Sequence, residues 1–162
     1  MKNGKEFFIQ SDKSGWMHIY HFTIDNNELK QVTSGKWAVA NILFADEEKE
    51  VIYFTARKEV STSTDLYKIN FNGKKLIRLT SGDYSHSINI SPKGKYFVST
   101  YSNISTPSCM SIFDNKGNEV RKIADGKSKE FDNYLISKSE LLHVPTSDGY
   151  NLPVRWTLPA NF

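Results

Sequence analysis

Three stretches of the chain repeat one another, and that repeat limits the possible folds more than any other feature. His18-Ile19-Tyr20-His21-Phe22-Thr23-Ile24 is followed by Leu29-Lys30-Gln31-Val32-Thr33-Ser34-Gly35. Asp65-Leu66-Tyr67-Lys68-Ile69-Asn70-Phe71 is followed by Leu76-Ile77-Arg78-Leu79-Thr80-Ser81-Gly82. A degenerate third copy runs Met110-Ser111-Ile112-Phe113, then Val120-Arg121-Lys122-Ile123-Ala124-Asp125-Gly126. The closing glycines fall at 35, 82 and 126, so the periods are 47 and 44 residues. A period in the forties built from short strands is that of β-propeller blades, each made of four antiparallel strands.

The strand chemistry agrees. Tyr20, Phe22 and Ile24 alternate with other residues, as do Tyr67, Ile69 and Phe71, and a period of two puts each trio on one face of a strand. Asn72-Gly73 and Lys116-Gly117 are tight-turn dipeptides, because glycine tolerates positive φ. Ser91-Pro92-Lys93-Gly94-Lys95 is a further turn, and residues 46–50 are its charged counterpart one repeat earlier. No stretch sustains a 3.6-residue apolar period, so little helix is expected. The predicted fold class is all-β: a partial β-propeller of about three blades followed by a β-hairpin. The chain opens late in one blade and completes others over residues 39–80 and 86–123. Rings close with roughly four to eight blades, so the rest of the ring is expected upstream.

Beyond Gly126 the repeat stops. Glu140-Leu141-Leu142-His143-Val144-Pro145-Thr146 reads as a strand, Ser147-Asp148-Gly149 as a turn, and Leu152 to Leu158 as a second strand with Leu152, Val154, Trp156 and Leu158 on one face. Pro153 cannot donate a ladder bond and belongs on an edge or facing outward. The predicted division is residues 1–130 for the partial propeller and 131–162 for a linker and the first hairpin of a truncated second domain.

These residues resemble a family. Ser11 to Tyr20 is similar to the S-x-x-x-G-[WY]-x-H-[IL]-Y segment of dipeptidyl peptidase IV-like enzymes, of the prolyl oligopeptidase family. In order there follow Val32 to Val39 (L-T-x-G-x-W-x-V), Ile52 to Ala56 (V-Y-F-T-[AS]), Leu66 to Ile69 (L-Y-[KR]-[IV]), Ser87 to Tyr96 (S-x-[NS]-x-S-P-x-G-K-Y) and Thr106-Pro107. Leu142 to Leu152 resembles the F-x-[VT]-x-T-x-D-G-x-x-L opening of the family's α/β-hydrolase domain. The resemblance implies a parent that releases N-terminal X-Pro or X-Ala dipeptides by acyl transfer, whose partners are peptide substrates and its own catalytic domain. It implies an exported parent, periplasmic or extracellular and possibly membrane-anchored.

The chain itself assigns no catalytic, substrate-binding, cofactor-binding or metal-binding residue. The family's serine sits in a G-x-S-x-G elbow, and that motif does not occur here. The family also grips the substrate amine with a Glu-Glu pair; Glu47-Glu48 lies in a turn of a later blade and reads as solvated carboxylates. Cys109 is the single cysteine, read as a small packed residue with no disulfide partner in the chain. His18, His21, His86 and His143 lack metal-ligand spacing, and an Asp12–His18 pair lacks the elbow and oxyanion donors of a triad. His18 is instead expected to make a blade-stabilising hydrogen bond. Trp16, Trp37 and Trp156 are read as packing between blades. Asn89-Ile90-Ser91 and Asn103-Ile104-Ser105 match the glycosylation pattern, which matters only in a secretory eukaryotic host.

A net charge of +3 without a basic aromatic stripe gives no nucleic-acid surface, and no stretch reaches the length of a membrane span. Residues 1–9 lack the apolar core of a signal peptide, which carries little weight for a chain that reads as starting mid-parent. The expected role is therefore a non-catalytic propeller fragment of a serine exopeptidase, with self-association through exposed blade faces. The alternative is a non-enzymatic propeller scaffold for protein–protein binding, which the trailing T-x-D-G hairpin disfavours.

Overall fold

Runs of Ile, Val, Phe and Tyr punctuated by Gly, Pro and Asn dictate short strands joined by tight turns, and short strands are what the chain forms. The computed structural model describes Met1 and residues 4–162; Lys2 and Asn3, within the N-terminal stretch read above, lie outside it. The first blade has three strands in order, β1 (Glu6–Ser11), β2 (His18–Thr23) and β3 (Glu28–Gln31). The second is a complete four-stranded blade: β4 (Ala38–Asp46), β5 (Val51–Arg57), β6 (Asp65–Asn70) and β7 (Ile77–Arg78). The third is likewise complete: β8 (Ser85–Ile90), β9 (Tyr96–Ser102), β10 (Cys109–Asp114) and β11 (Glu119–Asp125). A 3₁₀ turn at Lys129–Asn133 leads to a separate hairpin of β12 (Ser139–Pro145) and β13 (Asn151–Thr157). All pairings are antiparallel.

The core lies between blades, not within them. One cluster joins Ile19, Val32 and Trp37 to Ile52, Phe54, Tyr67 and Ile69, with Phe8 and Phe71 packed against it. A second joins Tyr53, Leu66 and Leu79 to Phe97 and Phe113. Alternation along β5 explains the split: Ile52 and Phe54 look back at the first blade and Tyr53 looks forward to the third. The Tyr67 face is therefore a joint, and Tyr67 is 1% exposed. In the first blade the matching face meets no neighbouring sheet among the described residues, and Ile24 is half exposed there.

The exposed blade faces expected from the sequence do not include Ile88 and Ile90, which pack against the second cluster because β8 turns that side toward the second blade. Tyr96, on the other side of β9, is the exposed one. Of the tryptophans, only Trp37 packs between blades, stacked on Phe54. Trp16, in the turn before β2, and Trp156, on the hairpin, are each 45% exposed, since neither turn nor hairpin is covered by another sheet.

The backbone stitches each joint at equivalent places. Val39 N–H donates to the Met17 carbonyl and His86 N–H to the Thr64 carbonyl, both at 2.8 Å. Gly73 (φ 78°) lies so close to the Val32 carbonyl that a Cβ would stand 2.8 Å from its oxygen. Gly117 (φ 90°) is seated still more tightly on the Leu79 carbonyl.

Candidate functional site

The positions with the richest chemistry sit where β2, β6 and β10 begin. His18 is buried between Thr33 and Gly35: Nδ1 lies 3.1 Å from Thr33 Oγ1, and Nε2 lies 3.0 Å from the Gly35 carbonyl. A carbonyl can only accept, so Nε2 carries the proton and Nδ1 accepts from the Thr33 hydroxyl. The same hydroxyl accepts from the Ile19 N–H at 2.9 Å. One repeat on, the Thr80 hydroxyl donates to Asp65 at 2.7 Å and accepts from the Leu66 N–H. Arg78 then bridges Asp65 (2.8 Å) and the Gly82 carbonyl (3.0 Å). Carboxylate plus guanidinium thus perform the two tasks of one imidazole: accept from threonine, donate to the glycine carbonyl. In the third blade Cys109 holds the place of His18 and Asp65, and Ala124 that of the threonine, so the latch is missing. Cys109 is buried, with its sulfur 3.7 Å from Asp125 Oδ1.

The expected hydrogen bond of His18 is therefore present, and with both ring nitrogens occupied this histidine has no place for Asp12 as an orienting acid. His21 pairs with Glu6 at 3.2 Å across the first sheet. His143 is exposed on β12 opposite Pro153. His86 is buried in the second joint, 2.9 Å from Ser99 Oγ. The structure does not gather the four histidines together, and among the described residues no cluster of three or more His, Cys, Asp or Glu could hold a metal.

Glu48 is exposed at the β4–β5 turn, as read from sequence, whereas Glu47 is half buried and lines a shallow cleft with Glu6, His21, Glu50 and Phe71. In the same turn Asp46 is buried; desolvation pushes its carboxyl up, but hydrogen bonds from the Lys49 ammonium and N–H outweigh this and hold it below the ordinary range. Asn103 is committed locally: its amide donates to the Asp83 carbonyl and its oxygen accepts from Ser105 and Thr106. Asn89 is exposed on β8. A second cleft separates the loop ends of the blades from the hairpin, lined by Thr62, Asp83, Ile104, Glu140, Leu141 and Arg155. The hairpin shows apolar side chains to solvent: Leu152, Val154 and Trp156 are all exposed. Among the described residues no helix is long and apolar enough to cross a membrane.

Residues 1–108 match the family model of the dipeptidyl peptidase IV N-terminal region. The chain belongs to that family. A probable dipeptidyl peptidase 4 of Arthroderma benhamiae is 29% identical over 99% of this chain and 21% of its own length. Dipeptidyl peptidase 4 of Arthroderma otae is 30% identical over the same shares. The chain thus spans about a fifth of the length of these curated relatives. In fold it superposes on the crystal structure of Porphyromonas gingivalis dipeptidyl peptidase 4 with a TM-score of 0.86, at 24% identity, over 97% of this chain and 22% of that one. A putative dipeptidyl aminopeptidase IV from Bacteroides ovatus gives 0.83 at 23% identity, over 98% and 25%. This chain is a dipeptidyl peptidase IV propeller segment, all-β, and the family resemblance read from the ordered motifs holds.

Sequence reasoning missed two features of this segment. The repeat extends past its glycines: Thr33-Ser34-Gly35-Lys36-Trp37 answers Thr80-Ser81-Gly82-Asp83-Tyr84, and in both a glycine Cβ would strike the aromatic ring two residues on. That signal was available. The other was hidden by exchange of bulk between rungs. The second blade sets Phe54 beside Tyr67 and Val39 beside Ala56; the matching rungs of the third hold Ser99 beside Ser111 and His86 beside Tyr101. Ser99 and Ser111 are fully buried, and the larger His86 and Tyr101 fill the space and reach their hydroxyls.

Proposed function

We propose that this chain supplies the closing blades of the propeller of a dipeptidyl peptidase IV-like serine exopeptidase, and the hairpin that opens its catalytic domain near residue 131. The parent would release X-Pro or X-Ala dipeptides by acyl transfer, from an exported location. The chain's own part would be scaffolding, since its polar side chains serve blade joints. The observation that carries the reading is the hairpin: two paired strands with an apolar face in solvent, reached from the third blade through a 3₁₀ turn. Two strands alone are marginal in water and need a sheet or helix to cover them. A propeller built only to bind proteins has no use for such a hairpin. The test is a chimera in which residues 1–162 replace the matching segment of a dipeptidyl peptidase 4. It is expected to hydrolyse a Gly-Pro chromogenic substrate, while the chain alone does not; a folded chimera without activity would overturn the reading. We further propose that the isolated chain self-associates through the apolar faces at its two ends.

A further inference from the structure

His86 is a buried titratable group that neither the joint latches nor the proposed function uses. It stands in the slot that Val39 holds in the second blade, and its own N–H carries the backbone bond from the third blade to Thr64. The ring lies 5.6 Å from that of Tyr101 and 6.3 Å from that of Tyr84, centroid to centroid. Nδ1 is held by Ser99, while the buried Nε2 makes no hydrogen bond of normal geometry. His18, by contrast, has both nitrogens satisfied.

We propose that His86 makes the joint between the second and third blades acid-labile, because protonating its ring places a desolvated charge, with no hydrogen-bond partner at Nε2, inside that joint. The charged groups that face it are Asp65 on β6, which favours the imidazolium, and Arg78 on β7, which opposes it. These two are already paired with each other, so neither is free to neutralise a new charge. The Ser81 backbone also favours the charged form, and Tyr84 and Tyr101 contribute only rings and hydroxyls. Desolvation is the largest effect and holds the imidazole below its ordinary range. The sign follows from linkage. A histidine whose folded pKa is depressed stabilises fully above its unfolded value of about 6.5 and loses that stability as pH falls toward the folded value. The predicted window of weakening therefore opens below neutrality, before most carboxylates titrate.

The experiment pairs a direct titration with a mechanical readout on the whole chain. Ring-proton NMR is expected to show His86 keeping its neutral chemical shift to lower pH than a histidine in the urea-unfolded chain. Amide hydrogen exchange, corrected for its intrinsic pH dependence, is expected to show protection at His86 N–H falling several-fold from pH 7 to pH 5.5. In His86→Gln, which keeps a polar partner for Ser99, that fall disappears at residue 86. A His86 that titrates in the ordinary range, or a loss of protection that persists in His86→Gln, overturns the proposal. Should the variant fail to fold, the wild-type titration still decides.

Discussion

One structural position carries three chemistries in this chain: an imidazole at His18, a carboxylate at Asp65, a thiol at Cys109. Two of them solve the same problem, the carboxylate with the help of Arg78: to satisfy a buried threonine hydroxyl and a glycine carbonyl at the blade corner. Thr80→Val keeps the shape and removes the hydroxyl, leaving the Leu66 N–H and Asp65 short of a partner. It is expected to cost about 1–3 kcal/mol in urea unfolding. Tyr67→Ala and Trp37→Ala, which empty the first joint, are expected to cost about 3–5 kcal/mol. Midpoints equal to wild type for all three would mean that these residues do not form the core. The threonines and glycines could be read from the sequence, since they recur at fixed spacing. The swap of Phe54 and Tyr67 for Ser99 and Ser111 could not. Packing conserves the volume of a joint rather than of a position, so compensation between His86, Tyr101 and the serines looks like decay of the repeat.

At the scale of elements, turn residues were the most legible part of the sequence. Asn72-Gly73, Lys116-Gly117 and Asp148-Gly149 all form hairpin turns with a left-handed glycine. What the dipeptides did not reveal is that two of these turns also touch the preceding blade. Gly117→Ala must displace the Leu79 backbone as well as strain its own φ, and it is expected to destabilise the third blade by about 1–3 kcal/mol. Gly149 has open space where a Cβ would stand, so Gly149→Ala meets only the backbone strain. Amide exchange resolves the two: protection should fall on both sides of the second joint in the first variant and only within the hairpin in the second. Equal, local effects would show that the turn does not bear on its neighbour. The hairpin's alternation was equally plain in sequence, but its exposure was not, because burial depends on what lies over a face and not on the face itself.

For the whole molecule, each blade touches only its neighbours, so the arc has two ends that no further blade covers among the described residues. Phe7 pairs with Phe22 at one end beside exposed Ile24, and Tyr96 and Ile123 stand out at the other. Together with the hairpin these make apolar surface of the kind that associates. Light scattering after size exclusion, over a tenfold range of concentration, should show mass rising with concentration. A monodisperse monomer throughout would count against self-association through these ends. The number and order of blades were legible because the period is written in side chains and turns; which end faces are bare was not, since only the pairing of Ile90 with Phe97 shows that even-numbered residues of β8 and odd-numbered residues of β9 share the side turned to the joint.

The seating of Gly73 and Gly117 against the carbonyls of the preceding blade sets an angle. In a ring, every joint contributes a fixed rotation, and the rotations must sum to one full turn. A methyl group at either glycine would wedge the corner open and change that increment. The misfit would not stay local: it would be handed from joint to joint and reappear as a gap or an overlap where the first and last blades meet. In a closed ring, two residues without side chains would thereby help decide how many blades complete the circle.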